Sequence, residues 1–300
     1  MLIETKPKIL IIVGPTSSGK TGLAIRLAKK FNGEIISADS RQVYKGLNIG
    51  TGKVTKKEAD GIPHHLLDVI SPKKVFTVVD FQKQADKKIK EVLDKGKLPI
   101  ITGGTGFYIQ TIVDGIVLPK IAPDLKLRKK LEGMCLTKLQ TKLKKLDSAF
   151  YKKIDSKNKV RLIRAIEISS KLGRVPSIKK NPKYRVLQIG LRWPKNILAK
   201  RIKDRLLARI KQGMISEVRN LHKNGLSWKR MHSLGLEYRH VSLFLQGKIS
   251  KNEMRDTLNI KINQYAKRQR TWFKRDKEIK WFKPNQYSKI VKEIKKFFLL

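Results

Sequence analysis

Five branched apolar residues in a row, Ile9-Leu10-Ile11-Ile12-Val13, open the patterned part of the chain. A run that is apolar at odd and even positions alike predicts a strand covered on both faces, as in a parallel sheet. After a short Gly- and Ser-rich turn, Leu23, Leu27 and Phe31 fall on one helical stripe. The pattern then predicts a strand over Glu34–Ser37, a loop over Asn48–Lys53, a helix over Val78–Lys95 and a strand over Leu98–Thr102 that runs into Gly103-Gly104-Thr105-Gly106. Strands alternating with helices in this order predict a parallel sheet with right-handed crossovers. The texture changes near Pro119: from Asp124 to about Leu172 the chain is helical, Lys/Arg-rich and poor in β-branched runs, closing at Gly173 and Pro176. Arg185–Leu191 returns to a strand pattern, Pro194 opens a series of helices to about Lys274, and a last amphipathic helix carries the chain to Leu300.

Composition narrows the class. With 300 residues and 40% hydrophobic positions the chain can bury a core, which excludes collagen-like, rod-like and wholly disordered architectures. No apolar run approaches the roughly 20 residues of a membrane span. The N-terminal residues carry no signal-peptide pattern, because the apolar stretch Ile9–Val13 is short and ends in a turn. One cysteine, Cys135, excludes an internal disulfide and a cysteine-cluster metal site, and the five histidines lack zinc spacing. The expectation is a soluble, cytoplasmic protein with no membrane partner. Lys and Arg number 69 against 24 Asp and Glu, a net charge of 69 − 24 = +45. Such a balance suits a polyanionic partner, but lysine enrichment alone also yields a basic solvated surface, so charge leaves nucleic-acid binding open.

Motifs decide more. Gly14-Pro15-Thr16-Ser17-Ser18-Gly19-Lys20-Thr21 fits the phosphate-loop spacing at every fixed position. Its glycines let backbone N–H groups turn inward around phosphate oxygens, Lys20 adds a mobile charge, and the Thr21 hydroxyl can hold Mg²⁺. The following helix aims its N-terminus at the same anion. A strand before and a helix after argue against a mere glycine turn. The predicted fold is therefore α/β: a P-loop NTPase-like parallel sheet core flanked by helices, made of residues 1–119 and 177–300, with an all-helical subdomain inserted at 120–176. Nucleoside triphosphatases of this class need an acidic Mg²⁺ ligand at the end of a buried strand, yet Leu98–Thr102 ends in glycines. The carboxylate that follows an early strand is Asp39. Two readings of it stand at this point: a general base beside the loop, or a helix cap.

Seven blocks occur in order: the phosphate loop; Ser37-Ala38-Asp39-Ser40-Arg41-Gln42-Val43-Tyr44; Asn48-Ile49-Gly50-Thr51-Gly52-Lys53; Pro63-His64-His65-Leu66-Leu67-Asp68; Gly103-Gly104-Thr105-Gly106-Phe107-Tyr108; Arg161-Leu162-Ile163-Arg164-Ala165-Ile166-Glu167; and Gln264-Tyr265-Ala266-Lys267-Arg268-Gln269 with Thr271-Trp272. Together they resemble the bacterial tRNA dimethylallyltransferases from about residue 8 to 275. The resemblance implies transfer of a five-carbon allyl group from dimethylallyl diphosphate to N6 of an adenosine beside the tRNA anticodon, position 37, with Mg²⁺ as cofactor and the chain acting as a monomer. It explains the missing acidic ligand, since the loop would cradle a diphosphate leaving group. It implies that Asp39 accepts the amine proton, that Thr16–Thr21 bind the diphosphate, that Arg205 clamps it, and that Thr105 joins Asp39, Lys20 and Arg205 in the catalytic set. It further implies that Asp39, Ser40, Arg41, Gln42, Thr105 and Arg128 contact tRNA, and that the inserted helices grip the anticodon stem-loop with Arg161 and Arg164 on its phosphates.

The chain departs from that family at Val160, where a polar residue is frequent, and at Glu237 in Gly235-Leu236-Glu237-Tyr238-Arg239, where a glycine usually precedes the tyrosine of a loop. Three rival functions stand beside this one: a P-loop nucleotide kinase, a non-enzymatic RNA-binding protein, and an isopentenyltransferase acting on free adenine nucleotides. The missing acid opposes the first, Asp39 the second, and the long basic insertion the third. The remaining expectations are structural: His64 and His65 in a Pro-led loop, Cys135 in a helical core, Trp272 packed, and the C-terminal helix docked on the domain.

Overall fold

The computed structural model describes residues 6–119 and 121–299. Its elements, in chain order, are β1 (Lys8–Val13), α1 (Lys20–Lys30), β2 (Gly33–Ser37), α2 (Lys56–Ala59), β3 (His64–His65), α3 (Val78–Asp94), β4 (Leu98–Thr102), α4 (Gly106–Val113), β5 (Ile116–Val117), α5 (Leu125–Glu132), α6 (Leu136–Leu146), α7 (Ser148–Tyr151), α8 (Lys159–Leu172), β6 (Lys179–Lys180), β7 (Arg185–Leu191), α9 (Lys195–Lys211), α10 (Met214–Lys223), α11 (Trp228–Ser233), α12 (Leu236–Leu245), α13 (Lys251–Phe273), β8 (Lys280–Phe282) and α14 (Tyr287–Phe298).

Six strands form one parallel sheet in the order β3-β2-β4-β1-β7-β8. Strand β1 pairs with β4 through Leu10↔Ile100 and with β7 through Leu10↔Leu187. Its doubly apolar sequence follows from this position. Ile9, Ile11 and Val13 face a core shared with α3, α4 and the helices α9–α13, whereas Leu10 and Ile12 face a second core with α1 and α14. Each such side chain contributes on the order of 1.5–3 kcal/mol by leaving water. Helix α14 docks through Ile290 and Ile294, both fully buried. Strand β1 is also the point where the chain stops adding strands on one side and begins on the other, so the loops after β1, β2, β4 and β7 meet at one edge of the sheet. Ligand crevices of open α/β sheets form there.

The chain divides into two compact units. One ends at Gly115 and resumes at Pro182; the other is Ile116–Asn181. The second unit has its own core of Leu131, Leu139, Leu143, Leu162 and Ile166. Besides helices α5–α8 it holds an antiparallel ribbon, Ile116↔Lys180 and Val117↔Lys179, between its two ends. Two-residue strands, one of them Lys-Lys, leave no periodic signal. Cys135 corrects an expectation: it is exposed, because it is the N-cap residue of α6 and not one of its inward positions.

Candidate functional site

The loop after β1 is wound tightly enough to require its glycines. Gly14 has φ 148°, and a Cβ there would lie 2.9 Å from the Leu191 carbonyl oxygen and 3.0 Å from Ser18 Oγ. Gly19, at φ 92°, forms the N-cap of α1, and Ser17 also takes a positive φ of 60°. Three residues buttress this loop from distant elements. Trp193 Nε1 donates to the Ser18 carbonyl at 3.0 Å, Arg201 Nε donates to the Ser17 carbonyl at 2.9 Å, and the Arg201 guanidinium lies over the Trp193 ring at 4.7 Å. Gln269 Oε1 accepts from the Thr16 N–H at 2.8 Å while its Nε2 donates to the Gly104 carbonyl at 2.9 Å, tying the loop after β1 to the loop after β4. None of these roles was read from the sequence. The stripe Arg201, Arg205, Arg209, spaced four apart along α9, is the signal that was present.

Lys20 Nζ donates to the Pro15 carbonyl at 2.7 Å across the loop mouth. Desolvation, and then the cation of Arg205, hold its ammonium down to about 7 against the opposing pull of Asp39. Arg205 is itself lowered to about 10, by desolvation first and then by Arg209. Both guanidinium groups lie over Gly52, where any Cβ would collide with them, and Arg205 Nη2 donates to the Gly52 carbonyl at 3.3 Å. The loop that supplies Gly50 and Gly52 is itself held by Glu217, which accepts from the N–H groups of Asn48, Ile49 and Gly50 and from the Tyr238 hydroxyl. Lys20 and Arg205 thus stand together on the loop side of the cleft, a concentration of positive charge that a bound polyanion relieves.

At Asp39 the helix-cap reading becomes a turn cap, because residues 40–43 form a turn and not a helix. Its Oδ1 accepts from the N–H of Arg41 at 2.8 Å and from that of Gln42 at 3.4 Å, so it caps the turn. Its Oδ2 makes no hydrogen bond among the described residues, and the side chain lines the cleft. The turn is fixed from outside. Thr105 Oγ1 accepts from the Ser40 N–H at 3.0 Å, the Thr105 N–H donates to the Ala38 carbonyl at 3.2 Å, and the Gln42 amide donates to the Gly52 carbonyl at 3.3 Å. Thr105, Ser40 and Gln42 therefore hold Asp39 in place.

The cleft has two lobes. A lobe of about 90 Å³ contains Thr16, Lys20, Thr21 and Arg205, with Ile35, Val54 and Leu67 as apolar wall. A second lobe, of about 370 Å³, contains Ser40, Arg41, Arg209, Glu237 and Arg268. Thr16, Asp39, Thr51 and Tyr265 line both, which puts Asp39 at the junction. His64 also lines the first lobe. It and His65 form strand β3 and not a loop, because β2 offers an open edge. His65 Nε2 meets Glu34 Oε2 at 2.7 Å, a carboxylate 31 residues away in sequence. His64 Nδ1 donates to the Ile62 carbonyl at 2.8 Å; its Nε2 is buried without a hydrogen-bond partner, and burial lowers the ring below its usual range. Gly235 through Arg239 likewise begin helix α12 and do not form a loop; Gly235, at φ 141°, supplies the backbone freedom there. Trp272 packs edge-on against Phe107 at 6.4 Å.

Arg128 and Arg164 of the second unit are bound within it. Glu167, whose side chain is fully buried, receives Arg128 Nε at 2.9 Å, Arg128 Nη2 at 2.7 Å, the Asp124 N–H at 2.6 Å, and Arg164 Nη1. Burial pushes this carboxyl up, but the hydrogen bonds from Arg128 and Arg164 prevail and hold it at about 2. Arg128 and Arg164 keep about a third of their side-chain surface exposed, 32% and 34%. Arg161 is more than half exposed, with Asp155 at 3.9 Å. Val160 is 76% exposed.

Comparison with known proteins adds four findings. The profile of the IPP transferase family matches residues 42–276. The chain is 44% identical to tRNA dimethylallyltransferase 2 of Treponema denticola over 91% of its own length and 93% of that protein. The full-length tRNA isopentenylpyrophosphate transferase of Bacillus halodurans superposes with a TM-score of 0.74 at 36% identity, covering 98% of this chain and 96% of that one. A eukaryotic dimethylallyltransferase acting on tRNA superposes with a TM-score of 0.80 at 28% identity, covering 92% and 74%.

Proposed function

This chain belongs to the IPP transferase family and is a prenyl-transferring enzyme of tRNA; from that premise we propose that it moves a dimethylallyl group from dimethylallyl diphosphate to N6 of the adenosine at position 37, beside the anticodon. The observation that carries the proposal is the placement of Asp39 where two lobes meet. The smaller lobe joins a phosphate-binding loop, Lys20 and Arg205 to an apolar wall, which suits an allyl diphosphate. The larger one has room for a base removed from its stack, as enzymes acting on bases require.

In the proposed reaction the N6 amine attacks C1 of the allyl group. The C1–O bond breaks, its electron pair leaves with the diphosphate, and the N6 proton passes to Asp39 Oδ2. Positive charge developing at C1 is shared with C3 of the allyl system, so the protein's main task is to stabilise the departing anion. The loop N–H groups and the α1 N-terminus face it, and Lys20, whose charged form the anion favours, and Arg205 supply charge. Among the described residues no cluster of three or more His, Cys, Asp or Glu side chains offers a metal cage. A Mg²⁺ ion would be held by the Thr21 hydroxyl and the diphosphate's own oxygens, where it would neutralise leaving-group charge.

The second unit is proposed to grip the anticodon stem-loop, with Arg161, more than half exposed and held only at 3.9 Å by Asp155, turning to a phosphate, and Arg128 and Arg164 presenting the ion-paired face around Glu167. Arg41 contributes from the larger lobe. Ser40, Gln42 and Thr105 fit a supporting role through the Asp39 turn, and Ser40 also lines the larger lobe. No described helix is long and apolar enough to cross a membrane, and we place the enzyme in the cytoplasm as a monomer. Incubation with dimethylallyl diphosphate, Mg²⁺ and bulk tRNA, followed by nucleoside mass analysis, is expected to yield N6-isopentenyladenosine. Prenylation of AMP but not of tRNA, or phosphoryl transfer from ATP, would replace this reading.

A further inference from the structure

Helix α9 sends two guanidinium groups over the same glycine, and they serve different lobes. Arg205 lines the small lobe with Lys20; Arg209 lines the large one. Arg209 is 8% exposed and held at two points: its Nη1 donates to the Gly50 carbonyl at 3.3 Å and lies 3.4 Å from Glu237 Oε1. Glu237, 20% exposed at its side chain, reaches in from the first turn of α12. Burial, with Asp39 adding to it, raises its carboxyl above the ordinary value, and Arg209 and Arg205 oppose the rise only in part. Asp39 and Glu237 are the two carboxylates lining the cleft among the described residues, set against Lys20, Arg41, Arg205, Arg209, Arg239 and Arg268.

We infer that Glu237 is a positioning residue: it holds Arg209 on the acceptor side of the cleft, so that the diphosphate meets Lys20 and Arg205 without a third cation. The inference rests on the diphosphate reading of the small lobe. Its physical content is a balance between catalysis and release. The diphosphate must be stabilised as it forms and must then leave before the next turnover. A buried cation added beside a multiply charged anion strengthens binding by about tenfold or more in a poorly solvated cleft. Without Glu237, Arg209 has no carboxylate other than Asp39 within the cleft, and the strongest anion within reach is the diphosphate. Pairing of Arg209 with Glu237 also leaves Asp39 Oδ2 available for the amine proton. A glycine at position 237 could perform neither duty.

The test uses inorganic pyrophosphate as probe, titrated calorimetrically into wild type, Glu237→Gln, Glu237→Asp, Arg209→Gln and the double variant Glu237→Gln/Arg209→Gln. Glu237→Gln keeps size and a hydrogen-bond acceptor but removes the charge. It is expected to bind pyrophosphate about tenfold more tightly, and to prenylate tRNA with a burst of one turnover followed by a slow steady state, because release becomes limiting. Glu237→Asp returns affinity toward wild type, and in the Arg209→Gln background Glu237→Gln adds nothing. A residue that only props up α12 would weaken pyrophosphate binding when changed. Equal or weaker binding by Glu237→Gln, or a gain that persists without Arg209, overturns the inference. Absence of pyrophosphate binding in wild type removes the diphosphate reading itself, and this inference with it.

Discussion

Replacing Asp39 by asparagine separates the cap that the structure shows from the proton transfer proposed for the same side chain. Oδ1 caps the turn through the N–H groups of Arg41 and Gln42, and an asparagine carbonyl oxygen accepts those bonds equally. The stability cost is therefore a few tenths of a kcal/mol at most, whereas Asp39→Ala, which loses the cap, costs about 1 kcal/mol. Oδ2 is different: as an amide nitrogen it donates and takes no proton. General-base catalysis is worth roughly 10²–10⁴-fold, or about 2.7–5.4 kcal/mol of barrier at 1.36 kcal/mol per decade. The assay is the single-turnover rate of tRNA prenylation at saturating substrates, alongside thermal denaturation. The expected result is a melting temperature near wild type with a rate lowered by at least about a hundredfold. Pyrophosphate affinity should hold or rise, because the variant removes a negative charge from the cleft. A rate within a few-fold of wild type would refute the assignment and leave the proton to water or to the departing diphosphate.

Three further outcomes follow from the same geometry. Lys20 sits at about 7 in the free protein, and a bound diphosphate restores its proton. Binding thus takes up a proton, and affinity for pyrophosphate should fall as pH rises above about 7, with a slope approaching tenfold per unit. The difference between wild type and Lys20→Met cancels the titration of pyrophosphate, and a flat difference would exclude the coupling. Glu167 lies at about 2, below the ordinary value of 4.5, so its stabilisation is full above pH 4.5 and is lost as pH falls toward 2. Glu167→Gln should destabilise the second unit by on the order of 2–4 kcal/mol, less than for a fully enclosed pair because both arginines remain partly solvated; unchanged proteolysis between residues 116 and 181 would contradict this. Arg161→Ala should lower the slope of tRNA affinity against salt by roughly one counterion without changing pyrophosphate affinity. An unaltered slope would take Arg161 off the RNA.

What the sequence determined by itself is what short segments encode. The phosphate loop is a contiguous pattern whose glycine φ angles are imposed over eight residues. Strands β1, β4 and β7 announce themselves through apolar runs because both faces are covered, and α3 and the helices after Pro194 through their periodicity. Asp39 was legible as a carboxylate after a strand, with its two readings left open. Tertiary structure alone decided the rest, because those features depend on residues brought together across the chain. Strand β8 has three residues and becomes a strand only beside β7; His64 and His65 become one only at the edge of β2. Gln269 reaches Thr16 across 253 positions, and Glu34 reaches His65 across 31. The function of Arg209 is set by Glu237, 28 residues later, through a contact that no local pattern encodes. Backbone propensity and side-chain period act over one or two turns, whereas an ion pair is selected by the distance between two side chains after the sheet has ordered the loops at its edge.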